Sequence, residues 1–119
     1  MELIPQELRD RLLANGRANA ARIATDGNTL DHKPVVKLFT PWTGCTWLLS
    51  ELDPENPDIG FGLCDLGMGC PELGSVSLAE IMGVQGPGGL SIERDEYFRA
   101  TDTLGTYAAE ARRHGRILA

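Results

Sequence analysis

Cys45-Thr46-Trp47-Leu48-Leu49-Ser50-Glu51-Leu52-Asp53-Pro54-Glu55-Asn56-Pro57-Asp58-Ile59-Gly60-Phe61-Gly62-Leu63-Cys64-Asp65-Leu66 is the stretch on which the fold turns. Two strand-forming runs, 45–53 and 58–66, flank the turn-forming residues Pro54-Glu55-Asn56-Pro57, and this predicts a β-hairpin. With those residues as the loop, Leu52 faces Ile59, Ser50 faces Phe61, Leu48 faces Leu63 and Thr46 faces Asp65. The other face then holds Trp47 with Cys64, Leu49 with Gly62 and Glu51 with Gly60. Large apolar residues occur on both faces, so the hairpin is expected at the centre of a sheet covered on both sides. Asp65 ends a mostly apolar row, where its charge requires a hydrogen-bonding or cationic partner.

Toward the N-terminus, Val35-Val36-Lys37-Leu38-Phe39 reads as a short strand stopped by Pro41. Thr40-Pro41-Trp42-Thr43-Gly44 is a tight turn, with Trp42 expected to fold onto the core as a lid. Residues 25–34 are a polar loop. Pro5 to about Ala24 is a helix with proline at its start, and Leu8, Leu12, Asn15, Asn19 and Ile23 share one stripe. Two asparagines on that stripe favour a break near Asn15-Gly16, with the alternative that both reach a polar group or ligand between the helix and whatever it covers.

Toward the C-terminus, residues 67–74 are a glycine-punctuated loop that fits neither a dinucleotide fingerprint nor a phosphate-binding loop. Ser77 and Glu80 form a capping box, with Val76 and Ile81 as a staple, for a short helix from Leu78 to about Gly83. Leu90 to Ala100 reads as one bent strand. Thr103 to His114 is a helix whose buried face is Leu104, Tyr107, Ala108 and Ala111, closed by Gly115. The expected fold is α+β: a mostly antiparallel sheet of four or five strands, N- and C-terminal helices, and one short helix between late strands.

The 119 residues make one domain, 1–119, with 42% hydrophobic and 24% charged residues, which excludes a disordered or collagen-like chain. No apolar run is long enough to span a membrane, and Met1-Glu2-Leu3-Ile4-Pro5 lacks the basic head and apolar core of a signal peptide. A cytoplasmic location is expected. The net charge is −6, and its distribution is uneven: residues 38–92 contain seven acids and no Lys or Arg. Such a segment is a poor nucleic-acid surface and a candidate for a basic partner. The three cysteines, Cys45, Cys64 and Cys70, match no usual zinc spacing and are expected to be buried, inert thiols. No metal or other cofactor is expected.

Val35-Val36-Lys37-Leu38-Phe39-Thr40-Pro41-Trp42-Thr43-Gly44, Thr46 to Asp53, Phe61 to Gly67 and Pro71 to Leu78 together resemble the signature of a small bacterial family of unknown function. Leu12 to Arg17 and Glu93-Arg94-Asp95 extend the resemblance over nearly the whole chain. The resemblance implies a stand-alone cytoplasmic domain, often carried on plasmids and integrative elements, with no established activity, cofactor or catalytic residue.

The favoured expectation is a non-enzymatic binding or accessory module whose acidic sheet surface recognises a basic protein. The alternative is a metal-dependent hydrolase or nuclease using Glu51, Asp65 and Glu72 as oxygen ligands. For a binding site, the expected meeting point is the Trp42 turn, the end of the Asp65 strand and the Glu72 loop, with Asn19 reaching in from the covering helix.

Overall fold

A computed structural model describes residues 3–119, so Met1 and Glu2, where the reading of the N-terminal leader begins, lie outside the described residues. The two runs flanking Pro54–Pro57 pair with each other, and the rest of the chain is built on them. In chain order the elements are α1 (Gln6–Asp26), β1 (Val36–Phe39), β2 (Thr46–Leu52), β3 (Ile59–Asp65), β4 (Glu72–Ser77), α2 (Leu78–Met82), β5 (Glu93–Arg94) and α3 (Leu104–His114). The strands form a five-stranded sheet in the order β4-β3-β2-β1-β5, antiparallel throughout. This is the expected α+β architecture.

Alternation along β2 and β3 explains the layering. Trp47 and Leu49 join Val36, Leu38, Leu12 of α1, and Leu78 and Ile81 of α2 in one apolar cluster. Leu48 and Leu63 point the other way, into a cluster with Leu104, Tyr107, Ala108 and Ala111 of α3. Leu48, Leu49 and Leu63 are fully buried, and each such side chain contributes about 1.5–3 kcal/mol. Both faces of the hairpin are therefore covered.

The expected register holds at Thr46–Asp65, Trp47–Cys64, Leu48–Leu63 and Leu49–Gly62. A β-bulge between Leu49 and Glu51 then shifts it, so that Glu51 faces Phe61 and Leu52 faces Gly60. The pairings Ser50–Phe61, Glu51–Gly60 and Leu52–Ile59 are thus corrected by one position. The bulged residue is accommodated because the amide of Asn15 donates to the Ser50 carbonyl at 2.8 Å.

That asparagine also overturns the expected helix break. α1 runs uninterrupted from Gln6 to Asp26 and ends on Gly27, whose φ of 77° lies in the left-handed region. Its polar stripe is used for docking: Asn15 and Asn19 reach across to the sheet and the following loop. Gly16 is buried between them because α1 lies so close to β2 that a Cβ there would overlap the Leu52 carbonyl.

Two further corrections concern strands. The glycine-rich loop ends earlier than expected, and β4 starts at Glu72, with Gly74 opposite Gly62. The bent strand over 90–100 shrinks to the two residues of β5, because the side chain of Asp95 accepts the Tyr97 amide and turns the chain. The short helix starts at Leu78 as expected, and Ser77 accepts from the Glu80 amide. Asp58 adds a further cap from outside the helix: its carboxylate accepts from the Ser77 hydroxyl at 2.7 Å and the Ala79 amide at 2.9 Å. α3 buries the predicted face and ends on Gly115 in the left-handed conformation. No helix of the described residues is long and apolar enough to cross a membrane.

Candidate functional site

The four residues expected to share a pocket do separate jobs. Asn19 is buried and accepts the Leu30 amide at 2.6 Å through its side-chain oxygen, while its nitrogen donates to the Glu51 carboxylate. It thereby fastens the loop after α1 to the end of β2. Asp65, 4% exposed, accepts the Gly67 amide at 2.9 Å and the Ile117 amide at 3.0 Å. It closes the turn after β3 and ties down the chain beyond α3, which is the hydrogen-bonding partner its burial demanded. Trp42 is half-buried against the α1-side core, and its indole rests on Gly86, where no Cβ would fit. The lid reading of Trp42 describes this packing. Glu72 is exposed at the start of β4, paired in register with Cys64. It therefore projects from the opposite face of the sheet to Asp65.

Among the described residues no group of three or more His, Cys, Asp or Glu side chains is placed to hold a metal ion. Glu51, Asp65 and Glu72 are accordingly separate: one is bonded by Asn19, one by two backbone amides, one stands in solvent. The thiols are free. Cys45 and Cys64 are half-buried, and Cys70, contrary to expectation, is exposed on the loop before β4. Burial pushes the Cys64 thiol above its ordinary value, which disfavours the nucleophilic thiolate.

A groove of about 1070 Å³ lies at the β1–β5 side, lined by Lys37, Phe39, Thr40, Thr46, Arg94 and Tyr97 among others. None of the four expected residues lines it. Its two cations are already engaged. Lys37 pairs with Asp95 at 3.6 Å and donates to the Ala119 carbonyl, and Arg94 donates to the Leu3 carbonyl and pairs with Glu96. The groove therefore offers shape, hydroxyl groups and the carboxylate of Glu93 more than uncommitted cations.

β2, β3, β4 and α2 all fall inside the segment without Lys or Arg, whereas Lys37 lies on β1, Arg94 on β5, and Arg112 and Arg113 on α3, which packs on β3. Of the acids in that segment, Asp53, Glu55, Glu72 and Glu80 are exposed. β4 is a terminal strand of the sheet, and Phe61, Leu66, Met68 and Leu73 around it are exposed large apolar residues. Sequence reading found the acids but not the strand edge beside them, since the residues of β4 were absorbed into a loop and a helix cap.

The family model described as "Protein of unknown function (DUF2958)" matches residues 3–118. No curated protein and no solved structure matches the chain.

Proposed function

The chain belongs to the DUF2958 family of proteins of unknown function, and on that footing we propose that it is a non-enzymatic binding module for a basic protein. The observation that carries this reading is the exposure of Asp53, Glu55, Glu72 and Glu80 within residues 38–92, a stretch that contains no Lys or Arg. A surface of one sign attracts a partner of the other and speeds their encounter. The non-enzymatic part is supported by the occupations of the candidate groups: Asn19, Glu51 and Asp65 are committed to internal hydrogen bonds, and the Cys64 thiol is held protonated. Three free cysteines suit the reducing bacterial cytoplasm as the place of action. Resemblance to a family often carried on plasmids and integrative elements extends the reading to an accessory role in mobile DNA.

The test is titration with oligolysine at low and at high salt, for the wild type and for a variant combining Asp53→Asn, Glu55→Gln, Glu72→Gln and Glu80→Gln. Wild-type binding should weaken steeply as salt shortens the screening length to about 10 Å and below, and the neutralised variant should lose it. Equal binding by both proteins, or binding indifferent to salt, would refute the reading.

A further inference from the structure

We infer that the basic partner binds as an added strand along the outer edge of β4, through an extended segment that alternates apolar and cationic residues. The inference rests on the acidic-module reading and names the partner's form.

The backbone geometry shows which groups are available. The Leu78 amide donates to the Asp58 carbonyl at 2.8 Å, in the same register that pairs Ser77 with Ile59. Hydrogen-bonded pairs alternate along an antiparallel ladder, so Val76, Gly74 and Glu72 direct their peptide groups at β3. The Asp53 amide, donating to the Ile59 carbonyl, turns residues 59 and 61 of β3 toward β2 and leaves 60 and 62 facing β4, in agreement. Leu73 and Ser75 therefore point their N–H and C=O groups away from the sheet. Among the described residues no strand pairs with that side. An open row of this kind is a template for another chain.

Side chains on either face of β4 specify what the added strand carries. Leu73 lies opposite Leu63 on the α3 side, next but one to Phe61, and both Leu73 and Phe61 are more than a third exposed. Residues of the guest on that side gain apolar contact. Glu72 and Gly74 lie on the opposite side, and a Cβ at Gly74 would meet nothing within 4 Å. That side offers a carboxylate with room beside it, so the guest residues there are Lys or Arg. A second copy of this chain is the wrong occupant at neutral pH, because it brings another net −6 and a second Glu72 to the same edge.

Three blocked peptides of about eight residues test this: one alternating valine with lysine, one of equal composition with lysines and valines in separate blocks, and one alternating but N-methylated on every second residue. They are titrated into the wild type and into Ser75→Pro, which deletes an outward N–H and no bond to β3. The alternating peptide should bind best and shift the Leu73 and Ser75 amide resonances, and N-methylation should weaken it at least about tenfold. Ser75→Pro should do the same while keeping the wild-type unfolding midpoint, and N-methylation gives the answer independently if that variant fails to fold. If all three peptides bind equally and salt weakens each, strand addition is wrong while the acidic-module reading stands. If no lysine peptide binds at low salt, both are wrong.

Discussion

Asn19 and Asp65 show why buried polar residues are ambiguous in a sequence. Each is a strong hydrogen-bonding group in an apolar row, the pattern expected of a ligand contact. Each instead serves the backbone of a distant segment, Leu30 in one case and Ile117 in the other. Removing either takes the acceptor from part-buried amides, Leu30 in one case, Gly67 and Ile117 in the other, and each hydrogen bond lost is worth about 0.5–1.5 kcal/mol. Asp65→Ala should accordingly lower the midpoint of urea unfolding, with the Ile117 amide losing its protection against hydrogen exchange before those of β2. A variant with unchanged midpoint and impaired peptide binding would reverse this assignment and make Asp65 a recognition residue. Deletion of a ligand contact would leave Ile117 protected.

At the level of elements, periodicity was enough for α3, whose Leu104, Tyr107, Ala108 and Ala111 are buried as their spacing predicts. It was enough for the first half of the hairpin too. It failed where a tertiary contact decides the outcome. The bulge at Ser50 depends on Asn15, 35 residues away, and the continuity of α1 depends on the same contact. Gly16, which alone reads as a helix stop, is required by the nearness of Leu52. β4 was missed because two glycines and a proline precede it, and only pairing with β3 makes it a strand. The candidate site was legible as charge and not as geometry, since acids can be counted in a sequence whereas sheet order cannot. α2 also depends on a remote group, and this gives it a pH dependence. The Ser77 hydroxyl, and next the Ala79 amide, hold the Asp58 carboxyl below its ordinary value. A carboxylate depressed in the folded state stabilises above its unfolded pKa, and that contribution disappears as pH falls through the folded one. Acidification below about pH 4 should therefore lower the protection factors of Leu78 and Ala79 relative to the intrinsic exchange rate, and Asp58→Asn should abolish that pH step.

Across the whole molecule, the two margins of the sheet are unlike. One ends in β5, two residues long and flanked by paired cations; the other ends in β4, six residues long and free of them. Repulsion between anionic copies protects the longer margin near neutrality. Acid removes that protection as the chain approaches its isoelectric point of about 4.8. Two molecules can then pair their β4 margins antiparallel about a two-fold axis and bury the row in each other. Growth halts there, because the short margin presents too little backbone to recruit a third. Mild acid should thus yield discrete dimers in sedimentation rather than fibres, and Ser75→Pro should remain a monomer at the same pH.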